Sequence, residues 1–189
     1  MLQKELSNSR SGAVYTGDAI VLYEYARRIK LMHIFEMRPG TSTNIICLAI
    51  SELQSADPTY QPTSHVIEEN EKLLKYHENT FVPELRPYVT LLHSATERRD
   101  YGKLGGAACY VSIPAEEFDF FFVDGPDFNK LNSDWSRDVL KLLPRFAKKI
   151  FIAFDGRSTT AKKNYSILRE NGFILRRHSF GLDYAIGRD

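Results

Sequence analysis

Four acids stand where apolar runs break off: Glu36 after His33-Ile34-Phe35, Glu68 after His65-Val66-Ile67, Asp124 after Phe118 to Val123, and Asp155 after Ile150 to Phe154. Carboxylates so placed can accept hydrogen bonds from a ligand or take a proton from a reacting group. Each also has a plainer role, capping the helix that follows or pairing with a surface lysine. Their recurrence at successive strand ends favours a shared site. The first has the richest context. Arg38-Pro39-Gly40 turns the chain after Glu36, and Thr41-Ser42-Thr43 opens a second apolar segment, so His33 to Ile50 reads as strand, tight turn and helix. Free N–H groups at the start of that helix would welcome a negative ligand group, and Gly40 would allow an approach that a Cβ blocks.

The elements that must position these residues follow from periodicity and punctuation. Residues 1–14 are polar and form a flexible arm; residues 15–189 make up a single domain. Thr16-Gly17-Asp18 starts an amphipathic helix that ends near Lys30. Ser55-Ala56-Asp57-Pro58 and Gln61-Pro62-Thr63 mark a long polar loop before the strand ending at Glu68, and Asn70 to Thr80 is a helix with Leu73, Leu74 and Tyr76 as its packing stripe. Tyr88 to Leu92 is a strand, with His93-Ser94 at its end. Ala95 to Pro114, with Gly102, Gly105 and Gly106, reads as an irregular loop. Phe118 to Val123 is a nearly continuous apolar run, as expected for a strand buried on both faces of a parallel sheet. Asp134 to Leu143 is a helix facing inward through Trp135, Val139, Leu142 and Leu143; Lys149 to Asp155 is a strand; Thr160 to Asn171 is a helix stopped by Gly172. Phe173 to Leu175 and Leu182 to Ile186 alternate around Gly181 as a closing antiparallel hairpin.

Composition narrows the function. A formal net charge of +1 with dispersed Lys and Arg argues against extended nucleic-acid binding and leaves room for a small ligand. No apolar run is long enough to span a membrane, and the well-separated Cys47 and Cys109 suit free thiols in a reducing cytoplasm. Alternating strands and helices predict a mainly parallel sheet, in which ligands bind beyond the carboxyl ends of the strands.

In the stretches Ile34 to Thr43, Val66 to Asn70, Phe118 to Pro126, Ile150 to Arg157 and the hairpin after Asn171-Gly172-Phe173, the chain resembles the class I S-adenosylmethionine-dependent methyltransferases, within them a subgroup with a Val-Asp-Gly-Pro motif. Phe118 to Pro126, FDFFFVDGP, is the most specific of these pieces. The resemblance implies an α/β, Rossmann-like methyltransferase fold with a mainly parallel seven-stranded sheet and a C-terminal antiparallel hairpin. It implies that Glu36, Gly40, Thr41, Ser42 and Thr43 hold the methionine end of S-adenosyl-L-methionine, that Glu68 takes the ribose hydroxyls with Glu69 as its competitor, and that Ser94 lies near the adenine. Asp124 would face the gap between cofactor and substrate, where it orients an acceptor or takes its proton. The activity implied is methyl transfer to an oxygen or nitrogen of a small molecule.

Two positions depart from the family's pattern. Arg38 stands where the turn usually has its first glycine, and Gly156 follows Asp155 where a second acid or Asn is common. A bulky cation in the glycine turn leaves open an alternative, a catalytically inactive methyltransferase-like binding or assembly subunit. Asp124 and Asp155 are conceivable ligands for a divalent metal, although only two hard oxygen donors are in sight. A nicotinamide-dependent oxidoreductase is disfavoured, since Gly-x-Gly-x-x-Gly is absent from the first turn. His93, His178, Arg157 and the tyrosines at 15, 23 and 25 have functional readings that packing or solvation explains as well.

Overall fold

The structure, a computed structural model, describes residues 16–133, 135–155, 158–177 and 183–186. Helix α1 (Thr16–Ile29) leads to β1 (His33–Met37), followed by α2 (Thr41–Ala56), β2 (Thr63–Glu68), α3 (Glu71–Thr80) and β3 (Thr90–His93). Strands β4 (Thr96–Asp100) and β5 (Gly106–Tyr110) come next, then β6 (Phe118–Val123), α4 (Asp138–Leu142), β7 (Phe146–Phe154), α5 (Ser158–Glu170), β8 (Ile174–Arg177) and β9 (Asp183–Ile186).

The main sheet runs β3, β2, β1, β6, β7, β9, β8. Its first five strands are parallel, while β9 is antiparallel to both β7 and β8. The chain steps outward from β1 to β3, then returns to the other side of β1 and steps outward again from β6 to β7. Strand order therefore reverses between β1 and β6, which opens a crevice at their carboxyl ends.

Alternation along each strand feeds two cores. Ile34, Val66, Phe120, Phe122, Phe151 and Ala153 pack in one cluster with Leu22 and Ala26 of α1 and Ile45, Ile46 and Ile50 of α2. Phe35, Met37, Ile67, Phe121, Val123 and Phe154 share the other with Val139, Leu142, Ala161 and Leu168 of α4 and α5. Burial on both faces explains the near-continuous apolar runs of the central strands. Side chains then fix the helix ends. Asn70 accepts from the N–H groups of Lys72 at 3.0 Å and Leu73 at 3.3 Å at the start of α3. At the end of α5, Gly172 takes φ 83°, and the N–H of Phe173 reaches the carbonyl of Leu168 at 3.0 Å.

Several expectations need correction. Ala95 to Pro114 is no irregular loop but contains the antiparallel β4–β5 hairpin, paired from Thr96 opposite Tyr110 to Asp100 opposite Gly106. Gly102 and Gly105, at φ 60° and 78°, make its turn. Residues Ala107 to Tyr110 are all buried, so β5 lacks the alternation that marks a half-exposed strand, and the charged Thr96 to Asp100 lacks an apolar face. The helix expected from Asp134 to Leu143 is only the short α4 with a 3-10 turn after it. The strand expected from Tyr88 starts at Thr90, because Pro83–Tyr88 forms a 3-10 turn. Helix α2 continues to Ala56, which shortens the polar loop. The N-terminal arm, Asp134, Arg157, His178 and Gly181 lie outside the described residues.

The stripe on α3 also shrinks to a single residue: Leu74 is buried at 7% exposure, whereas Leu73 and Tyr76 stand at 37% and 60%. Leu74→Ala is expected to cost about 2–3 kcal/mol of stability and Leu73→Ala less than about 0.5 kcal/mol, read from urea denaturation midpoints. Equal losses would show that α3 packs through the wider stripe.

Candidate active site at the carboxyl ends of the strands

Parallel pairing brings the predicted acids to one edge. Met37 lies opposite Ile67 on one side and Val123 on the other, Glu68 opposite His93, and Val123 opposite Phe154. The backbone stays joined just beyond: the N–H of Arg38 donates to Ile67 at 2.8 Å, that of Ser94 to Glu68 at 3.1 Å, and that of Asp155 to Val123 at 3.1 Å.

Glu36 is buried, 1% exposed, on the α2 side of β1. The Ser42 hydroxyl donates to its Oε1. Burial pushes its carboxyl up to about 8; the Ser42 and Thr43 hydroxyls oppose that shift, and the charges of Asp124 and Asp155 add to it. The Thr43 hydroxyl accepts the N–H of Gly40 at 2.9 Å, which ties the turn to the first turn of α2. Gly40 itself has φ −172°, ordinary extended backbone. A Cβ built on it meets no atom within 4 Å, so open space lies over the helix start. The residue that needs a glycine-like conformation is Arg38, at φ 68°. Thr41, half-buried, and the buried Ser42 and Thr43 supply the first N–H groups of the helix.

Glu68 and Glu69 part company. Glu68 is 1% exposed, and its Oε1 accepts the N–H of Asn70 at 2.7 Å, so one carboxylate oxygen remains for a ligand. Burial raises its pKa, the Asn70 N–H opposes, Glu69 adds to the rise, and Arg38 and Lys130 lower it. Glu69 is committed elsewhere: its Oε2 accepts the Tyr110 hydroxyl at 2.9 Å and its Oε1 the N–H of Asp127 at 3.1 Å. Of the two, Glu68 is the one that keeps a carboxylate oxygen without a protein hydrogen bond.

Tyr110 and Arg38 meet over Gly125. A Cβ on Gly125 would lie 2.7 Å from the Tyr110 hydroxyl, 3.0 Å from Cγ of Arg38 and 3.1 Å from Cβ of Met37, so only glycine fits after Asp124. Partial burial would lower the Arg38 pKa, yet the charges of Asp124, Glu69 and Glu68 more than offset it and hold the guanidinium firmly protonated. Arg38 thus stands as a counter-charge among the site's acids. Asp124 and Asp155 are half-buried, and both act on Glu36 through space. Among the described residues no group of three or more His, Cys, Asp or Glu side chains is arranged to hold a metal ion.

Ser94 is buried at the end of β3, but its hydroxyl is spent on the protein, donating to the carbonyl of Ala95 at 3.1 Å and accepting the N–H of Ser112 at 3.0 Å. His93 is exposed beside it. Tyr23 donates to Glu52, and Tyr25 stacks on Phe151 at 4.1 Å, so both serve the packing of α1. Sequence reasoning missed Tyr110 and Asp138. Asp138 is fully buried; burial pushes its carboxyl up to about 7, against the N–H of Tyr110 at 3.0 Å and the Ser136 hydroxyl. The signal for Tyr110 was the small-residue run Ala107-Ala108-Cys109 that it ends, a pattern a strand buried on both faces can show.

No sequence-family description and no characterised protein matches the chain by sequence. Solved structures do match by shape. The O-methyltransferase TomG from Streptomyces achromogenes, involved in tomaymycin synthesis and solved in complex with SAM, aligns over 100% of this chain and 89% of its own, with a TM-score of 0.60 at 14% identity. The O-methyltransferase from Bacillus cereus, solved with SAH, aligns over 99% and 90% with a TM-score of 0.60 at 14% identity. A methyltransferase from Geobacter sulfurreducens aligns over 98% and 87% with a TM-score of 0.59 at 16% identity. This chain therefore has the Rossmann-like α/β fold of the S-adenosylmethionine-dependent methyltransferases.

Proposed function

We propose that the chain is an S-adenosyl-L-methionine-dependent methyltransferase acting on an oxygen or nitrogen of a small molecule. The observation that carries this reading is the pair of buried carboxylates, Glu36 and Glu68, at the ends of adjacent strands beside the open space over Gly40. The pair suits a ligand with an ammonium at one end and a vicinal diol further along. When bound, the cofactor supplies a sulfonium carbon already activated for in-line displacement. Glu36 neutralises the ammonium, and the free N–H groups at the start of α2 receive the neighbouring carboxylate. The free oxygen of Glu68 accepts from the ribose hydroxyls. Ser94, its hydroxyl already used, borders the adenine only by contact. Asp124 sits on the acceptor side, where it orients the acceptor or takes its proton, and the fold contributes alignment and exclusion of water. The neighbours solved with SAM and SAH support the same cofactor here.

Arg38 favours a second reading. It holds φ 68° in the turn where the family has glycine and lies among the acids of the site, as a degenerate cofactor pocket retained for binding or assembly would show. Calorimetric titration with S-adenosylmethionine separates the two. The catalytic reading expects micromolar binding by the wild type, weakened about tenfold to a hundredfold in Glu68→Ala as charge-assisted hydrogen bonds are lost. Absence of binding by the wild type, with recovery in Arg38→Gly, contradicts it and supports the degenerate site.

Glu36 gives an independent pH signature. With its carboxyl near 8, it is mostly protonated at pH 7 in the free protein, and a bound ammonium favours the charged form. Cofactor binding at pH 7 is expected to release up to about one proton, visible when calorimetry is repeated in buffers of different ionisation enthalpy, and Glu36→Gln is expected to abolish the release. The free protein titrates in the same window. Because the folded value of about 8 lies above the ordinary 4.5, this group's contribution to stability is fully present below pH 4.5 and is lost as pH rises through about 8. Proton release unchanged in Glu36→Gln would place the ammonium elsewhere.

A further inference from the structure

A cavity of about 300 Å³ opens between β4–β5 and α4, with Arg99, Tyr101, Cys109, Arg137 and Leu140 among its walls. We propose that it binds the carboxylate or phosphate group of a small organic anion, with Arg137 as the anchor. This proposal is independent of the methyltransferase reading.

Arg137 is built into place. Its N–H donates to the carbonyl of Ala108 at 3.1 Å, directly before α4, and its guanidinium carbon lies 3.5 Å from the centroid of the Tyr101 ring. Tyr101 in turn meets the buried Trp135 edge-on at 6.1 Å. The aromatic face covers one side of the guanidinium and fixes its plane, leaving the N–H edge as its bonding surface. Among the described residues that half-buried guanidinium makes no side-chain hydrogen bond and no ion pair, so its five donors remain for a ligand or water.

The neighbouring charges are already assigned. Lys141 donates to the carbonyls of Tyr110 at 2.6 Å and Val111 at 3.0 Å, which keeps its positive charge in the wall, where it also acts on the buried Asp138. Arg99 is paired with Glu97, its Nε 2.7 Å from Oε1. Asp100, the acid in the lining, accepts the N–H of Gly102 at 2.9 Å and so belongs to its own turn. Leu140 and the buried Cys109 offer apolar wall for the body of the ligand. A planar oxyanion on a short organic frame matches this set: the fork of Arg137 takes it bidentately, and Lys141 adds field.

The test is a chemical-shift titration of ¹⁵N-labelled full-length protein with inorganic phosphate and, separately, with benzoate. Saturable shifts confined to amides 99–102 and 137–141 are expected with at least one of them, and Arg137→Gln is expected to weaken the apparent affinity at least about tenfold without disturbing the remaining amides. Arg137→Lys, which keeps the charge but not the fork, should fall between the two. A response to benzoate alone assigns a carboxylate, and one to phosphate alone a phosphate group. No saturable shift with either probe, or equal affinity in wild type and both variants, overturns the proposal.

Discussion

A carboxyl group buried between a strand end and a helix start is costly unless its surroundings answer it, and Glu36 is answered by α2. The Ser42 hydroxyl donates to it, and Thr43, which helps to hold the charged form, also anchors the turn through the N–H of Gly40. This joint sets how β1 hands the chain to α2, and β1 is the strand from which the sheet grows in both directions. Two further acids, Asp124 and Asp155, act on the same group through space and favour its protonated form.

The second constraint is steric. Gly125 leaves only enough room for Tyr110, Arg38 and Met37 to close over it, and the Tyr110 hydroxyl passes from there to Glu69. Glu69 also holds the N–H of Asp127, so the ends of β2, β5 and β6 are locked by one carboxylate. Through that lock a hairpin outside the main sheet is tied to the strand ends that border the crevice. Asp138 secures the same hairpin from behind through the N–H of Tyr110.

The parts of the fold legible in the sequence are those whose burial is two-sided or whose ends carry caps. FDFFFVDGP could only be a central strand, and Asn70 and Gly172 mark helix ends with the residue types their hydrogen bonds require. The corner from Glu36 to Thr43 was legible for the same reason. What misled was tertiary. The β4–β5 hairpin pairs a charged strand with one buried throughout, so neither shows alternation. Gly40 looked like the residue with special backbone freedom, whereas the left-handed position is Arg38, a residue whose sequence context carries no hint of it. Ser94 was placed at the correct strand end, but the use of its hydroxyl depends on Ser112, which reaches it only through the hairpin.

The most direct test of this account is a crystal structure of the wild-type protein grown with S-adenosylhomocysteine. The account predicts the ribose hydroxyls on Glu68, the ammonium beside Glu36 and the carboxylate at the first N–H groups of α2, with Arg38 still turned toward Asp124 and Glu69. Ligand density at another place, or an Arg38 side chain lying across the space over Gly40 with no ligand bound, would contradict it.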